Sequence, residues 1–256
     1  MDHIPADMKR LQARVILVTG ALEGIGRAVA LACAAQGATV VLSSFKAADL
    51  EPVYDAIVAR GDPEPAILPL DLERASEADF IAAANLVDDT FGYLDGLAHC
   101  AAFAPYLSRI DDYDASEWER VIRINLTAPF LLTQACLPLL RASKDAAIVF
   151  TSDRVGRTGK AYWGAYAAAK FGIEGLMQVL AEETRDRGRL RVNSLDPGLV
   201  RAALRATLYP GEDPGIHPAP ETVADRYIRL LGPESRGITG QACHAQDAIL
   251  TRSPEH

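Results

Sequence analysis

Tyr166 and Lys170 stand four residues apart in YAAAK, within a stretch of helical period, so their side chains share one face and can converge on one point. A phenol beside an ammonium is an acid–base pair. At a separation of ~5 Å and an effective dielectric of ~20, the cation would favour the phenolate by ~3 kcal/mol and bring the tyrosine down from its usual ~10. On that reading Tyr166 donates or accepts a proton and Lys170 tunes it. A second stretch with chemistry in it is Thr19-Gly20-Ala21-Leu22-Glu23-Gly24-Ile25-Gly26, which joins an apolar run to the helical pattern RAVALACAAQ. Glycines there permit a tight turn and close approach of backbone N–H groups to a pyrophosphate, and the helix N-terminus adds donors and a positive dipole end. The end of the next apolar run is where an acid would hold the ribose 2′-hydroxyl of NAD. It reads Ser43-Ser44-Phe45-Lys46, with no acid. Ser44 and Lys46 suit the 2′-phosphate of NADP, whereas Glu23 would repel it; the balance tilts to NADP and leaves NAD open.

Positioning these residues needs a particular alternation of elements. Apolar β-branched runs expected as strands (Arg14–Thr19, Ala38–Ser43, Ala66–Leu70, Leu94–Cys100, Ala146–Ser152, Leu190–Leu195 and Thr239–His244) alternate with helical patterns over Gly24–Gln36, Ala47–Arg60, Ser76–Phe91, Ser116–Arg141 and Tyr162–Arg187. Runs such as VILV and AIVF imply burial on both faces, as in a parallel sheet. The expected fold class is α/β: a single doubly wound Rossmann-type domain of about seven mostly parallel strands with helices on both faces. It would occupy 13–245, between an N-terminal extension over 1–12 and a C-terminal tail over 246–256. The turn-rich Leu208–Pro220 segment reads as a substrate lid or a plain surface loop. Its His217 is expected to be exposed and without a role, and Tyr162 and Trp163 to pack at a helix start or line a pocket.

Composition narrows the partners. A net charge of −8 and a pI of about 5.2 exclude the clustered positive field that nucleic acid or an anionic membrane requires. Arg185, Arg187, Arg189 and Arg191 read as a solvated helix end. The four cysteines are scattered without a CxxC pair, so a reduced, cytoplasmic setting and no metal are expected. The longest uncharged run, Ile124–Leu140, is too short and too polar to span a bilayer.

The glycine spacing, TGxxxGIG, resembles that of the short-chain dehydrogenase/reductase family, and further matches follow in order: Asp71, Asn125 in INLTAPF, the Tyr166–Lys170 pair, and Pro197-Gly198. TSDRVGR, YWGAYAAAKFGIEGLMQVLAEE and RLRVNSLDPG are similar to the bacterial YciK-like oxidoreductases. The resemblance implies a nicotinamide-dependent oxidoreductase moving hydride between NAD(P) and a carbonyl or alcohol, the alternative being a dinucleotide-binding sensor with weak turnover. It implies that Asp71 and Leu72 flank the adenine, that His99, Cys100 and Ala101, continuing into Ala102, floor the cofactor site in place of the family's Asn-Asn-Ala-Gly, and that Pro197, Gly198 and Val200 border it. Lys170 would hold the nicotinamide ribose, and Asn125 would help position a water in a proton relay. The helices Ser116–Arg141 and Tyr162–Arg187, with Ala165, Ala167, Ala168, Ala169 and Gly172, would pair with a neighbour in a homodimer or homotetramer.

One departure stands out. Thirteen residues before the tyrosine, where the family's catalytic serine stands, this chain has Asp153. Three outcomes are open: Asp153 is protonated and donates, Ser152 swings in, or turnover of ordinary ketones is poor. Poor turnover is the expected one, since an ionised carboxylate has no donor and repels charge growing on a carbonyl oxygen.

Overall fold

The structure, a computed structural model, describes residues 9–185 and 188–246. Seven strands form one sheet in the order β3-β2-β1-β4-β5-β6-β7: β1 Val15–Thr19, β2 Thr39–Ser44, β3 Ala66–Pro69, β4 Gly96–His99, β5 Ala146–Thr151, β6 Leu190–Asp196 and β7 Ala242–His244. Each paired neighbour is parallel. β1 and β5 are buried at every residue, which is why their sequences are continuous rather than alternating.

Helices cover both faces. α1 (Gly24–Ala35), α2 (Glu51–Val58) and α8 (Glu221–Leu231) pack on one side through Val29, Val53, Ile57 and Tyr227. On the other lie α3 (Glu77–Phe91), α5 (Ala128–Ala142) and α6 (Gly164–Thr184), through Phe80, Leu132, Ile173 and Met177. α4 (Ala115–Ile122) runs without interruption into α5 through one wide helical turn, Arg123–Thr127, so the helix expected over Ser116–Arg141 is continuous with a bulge inside it. α7 (Ala203–Leu208) precedes the Pro- and Gly-rich segment. The strand order reverses between β1 and β4, and the crevice outside their carboxyl ends is where such a sheet binds ligands.

Two local expectations change. Part of the extension is built in: Leu11 is fully buried in the core and Arg10 pairs with Asp225 at 2.5 Å. The rest of that extension, and the tail beyond Gln246, lie outside the described residues. Within the arginine run, Arg185 is exposed beside Glu182, but Arg191 is buried, bonding Asp145, Ser235 Oγ at 3.0 Å and the Gly232 carbonyl at 3.1 Å. Once the helix has ended, strand period rather than helix period decides which arginine turns inward; Arg187 lies outside the described residues.

Candidate active site

β1 ends in Thr19, whose Oγ1 accepts from the Cys100 and Ala101 amides at 3.1 and 3.3 Å and so fixes the glycine turn to the end of β4. Gly20 has φ +65°, and a Cβ there would lie 2.8 Å from Ala101 Cα. A Cβ on Gly26 would lie 2.1 Å from the Gly20 carbonyl oxygen, so α1 can begin this close to the turn only with glycine. Glu23 occupies the N-cap of α1 without a side-chain bond to it, so the first-turn amides face the crevice uncapped.

That crevice is two adjoining cavities of ≈350 and ≈710 Å³, sharing Gly20, Ser44, Phe45 and Ala101. The first is bordered by Leu22, Glu23, Gly24, Ile25, Gly26, Cys100 and Ala102, and on its far side by Pro197, Gly198 and Val200. The second holds Thr19, Lys46, Asp71, Leu72 and a residue the sequence reading missed, Arg74. Asp71 Oδ1 accepts from the Glu73 and Arg74 amides at 3.0 and 3.3 Å, a turn that carries Arg74 to the cavity that Lys46 also lines. An Asx residue followed three places later by arginine was the available signal.

His99 is the exception among the expected floor residues. Its side chain lies on the other face of the sheet, stacked 4.8 Å from the Phe150 ring with Nε2 2.9 Å from Thr133 Oγ1. Successive strand residues point to opposite sides, so Cys100 faces the cleft and His99 cannot. Burial, with Lys170 nearby, pushes its pKa down to about 3, and the ring is neutral.

Tyr166 and Lys170 share a face of α6, both buried, with Lys170 Nζ 5.3 Å from the Tyr166 ring centre. Tyr166 borders the cleft; Lys170 Nζ donates to the Thr151 carbonyl at 2.8 Å. The expected tuning is reversed. Burial, then the carboxylates of Asp153 and Asp196, hold the Tyr166 phenol well above its ordinary range, while burial lowers Lys170 to about 8. Desolvation disfavours charge on both partners and outweighs their mutual attraction. Asn125 sits in the wide turn between α4 and α5, donating to the Val121 and Phe103 carbonyls at 2.8 and 2.7 Å and accepting from Phe103 N at 3.0 Å. Its side chain braces the loop after β4 against α4.

At the end of β5, Asp153 borders the cleft beside Tyr166 and Trp163, and burial raises its pKa against the pull of the Val155 amide and Lys170. The carboxylate is half-buried, and its neighbour Arg154 is exposed. Ser152 does not swing in: it is 1% exposed and donates to Glu174 Oε1 at 2.5 Å. Glu174 also accepts from Arg157 Nε at 2.8 Å and Ser194 Oγ at 2.7 Å, a buried network no sequence signal announced. Arg157 Nη1 reaches His244 Nε2 at 2.8 Å, and His244 Nδ1 lies 3.2 Å from Asp196. An arginine can only donate, so Nε2 accepts and Nδ1 carries the proton toward Asp196.

The Leu208–Pro220 segment contributes Leu208 to the crevice, and its Tyr209, Glu212, Pro214, His217 and Pro220 border a further cavity with Gly24 and Arg205. Arg205 Nε and Nη2 bond Glu212 at 2.5 and 2.6 Å, and His217 Nε2 is 3.0 Å from the same carboxylate, which is held down to about 2 chiefly by Arg205. His217 is thus packed rather than solvated. Trp163 is buried between Tyr166 (5.6 Å) and Tyr209 (6.3 Å), whereas Tyr162 is exposed with φ +75°.

A glycine turn, a crevice at the switch point and a tyrosine–lysine pair together define a class, and residues 14–213 match the family of short chain dehydrogenases: the chain belongs to that family. Its similarity runs to particular members. It is 40% identical over 244 residues to the uncharacterized oxidoreductase YciK of Escherichia coli (strain K12), covering 95% of this chain and 96% of the relative. A structure described as a short chain dehydrogenase from Pseudomonas syringae superimposes with a TM-score of 0.92 at 46% identity, covering 96% of this chain and all of the other. Another, from Escherichia coli CFT073 in complex with NADPH, gives 0.91 at 41% identity, covering 94% of this chain and 100% of that one. The likeness to YciK-like oxidoreductases thus extends over nearly the whole chain. Among the described residues no helix is long and apolar enough to cross a membrane, and no cluster of residues could hold a metal ion.

Proposed function

We infer that this protein is an NADP(H)-dependent oxidoreductase that interconverts a small carbonyl compound and its alcohol, assembled as a homodimer or homotetramer. The observation that carries the reading is the continuous crevice from Arg74 and Lys46, past the uncapped start of α1, to Tyr166. Its residues fit a dinucleotide: Gly20 and Gly26 leave open a cradle that a Cβ would close, and Lys46, Arg74 and Ser44 line the cavity at the end of β2 with donors suited to a 2′-phosphate. When bound, the nicotinamide supplies or accepts the hydride. The chain's own residues handle the proton. Tyr166, kept protonated by burial and by Asp153 and Asp196, donates its hydroxyl proton to the carbonyl oxygen during reduction. Lys170 braces the site through Thr151, Trp163 excludes water, and Asn125 holds the loop after β4 in place. With the donor and its lysine both present, the site supports turnover rather than bare sensing. Fluorescence titration tests the cofactor. NADPH is expected to bind more tightly than NADH, and Arg74→Ala or Lys46→Ala to weaken NADPH about tenfold each, as for loss of one charge-assisted hydrogen bond, without changing NADH. Equal affinities that ignore both substitutions would overturn the choice of NADP.

A further inference from the structure

Asp153, which stands where the family's serine would, lies on the cavity wall itself. It shares that wall with Tyr166, Trp163, Leu199, Leu204 and Leu208. Its Oδ1 accepts from Val155 N at 2.9 Å, and among the described residues nothing engages Oδ2. The nearest cations are committed elsewhere: Lys170 Nζ to the Thr151 carbonyl at 2.8 Å, and both prongs of Arg205 to Glu212 at 2.5 and 2.6 Å. A half-buried carboxylate among leucines and a tryptophan, with one oxygen open, reached by the fields of Lys170 and Arg205 but paired directly with neither, lacks a contact that the occupant can bring. It lines the same cavity as Tyr166, so a group that pairs with it is held in the space that Tyr166 borders.

We propose that the substrate is an amino ketone, or the matching amino alcohol, with a protonated nitrogen on the carbon next to the reacting carbon, and that Asp153 pairs with that nitrogen. The proposal rests on the oxidoreductase reading above and supplies its substrate class. The pairing answers the objection that a carboxylate raises against a neutral ketone. As negative charge grows on the carbonyl oxygen, the neighbouring ammonium stands between it and Asp153 and offsets both. The bonds balance simply. A hydride moves from the reduced nicotinamide to the carbonyl carbon, the C=O π pair forms the new O–H bond with the Tyr166 proton, and Tyr166 is reprotonated from solvent. The nicotinamide is oxidised, the carbonyl is reduced, and the nitrogen keeps its protons.

The test uses isosteres in which an ammonium replaces a methyl group. Steady-state kcat/KM is measured with NADPH for aminoacetone and 2-butanone, and binding to the NADP-loaded protein is measured by calorimetry for 1-amino-2-propanol and 2-butanol. Wild type is expected to favour the amine of each pair by about tenfold or more, one charge-assisted contact. Asp153→Ser and Asp153→Asn should each erase that preference while NADPH binding is unchanged, and Asp153→Ser should raise kcat/KM for 2-butanone. Asparagine matters because it mimics a protonated aspartate. If Asp153→Asn keeps wild-type behaviour, or wild type shows no amine selectivity in either assay, the proposal is overturned and Asp153 serves as a neutral donor or not at all. Absence of NADPH binding in wild type is a different result, which sinks the oxidoreductase reading instead.

Discussion

Burial acts on single residues here in ways that charge counting misses. His99 shows it most cleanly, because its ring has one hydrogen-bond partner and one stacking partner and the residue is only 4% exposed. Its folded pKa of about 3 lies below the 6.5 of a free histidine, so between those values the unfolded chain binds a proton that the folded chain refuses. The contribution is therefore complete above pH 6.5 and is lost progressively as pH falls toward 3. From pH 7 to pH 5 this single group should remove about 2 kcal/mol. Urea unfolding at the two pH values should show wild type losing that much more than His99→Gln, whose amide can still reach Thr133. An equal pH dependence for the two proteins would mean that His99 is hydrated in solution.

Elements fix the cofactor end of the cleft through closeness. α1 begins against the turn that follows β1, and the Gly26 position leaves no room beside the Gly20 carbonyl. Gly26→Ala would drive α1 away from the turn, taking its first amides out of line with a pyrophosphate. The expected outcome is at least a hundredfold weaker NADPH binding by titration, equivalent to about 3 kcal/mol, with the far-ultraviolet circular dichroism of the fold retained. Binding at wild-type affinity would show that the turn is not the anion cradle. The wide turn at Arg123–Thr127 is the counterpart on the catalytic side: it bulges a long helix where Asn125 reaches the Phe103 backbone.

At the scale of the whole molecule, the small residues of α6 divide between two uses. Ala165, Ala167 and Ala169 are buried, and a Cβ on Gly172 would meet Leu126 at 2.6 Å, so these positions serve packing within the chain. Ala168, Phe171, Gly175 and Val179 instead form one exposed stripe, with Phe171 47% and Val179 58% exposed, and Phe130 of α5 is also exposed. Apolar surface of this kind is what a two-fold interface covers. Light scattering at micromolar concentration should give two or four times the 27.5 kDa chain mass, and Phe171→Glu with Val179→Glu should release monomers. A monomeric wild type would refute the assembly.

The sequence by itself determined the strand count, the parallel sheet and the glycine turn, because strand burial, helical period and backbone freedom are local properties that residue types express directly. It also named Tyr166, Lys170 and Asn125 by spacing and resemblance, and Asp153 as the odd residue among them. Which way each side chain faces was decided by the tertiary structure. His99 left the cleft because it precedes Cys100 by one residue on a strand, and Ser152 was claimed by Glu174 from a helix 22 positions away. Arg74 reached the cofactor crevice through a turn, and Arg191 turned inward to Asp145. The direction of the Tyr166 pKa was likewise out of reach of spacing, since it depends on how much water the assembled core excludes and on two carboxylates brought in from separate strand ends.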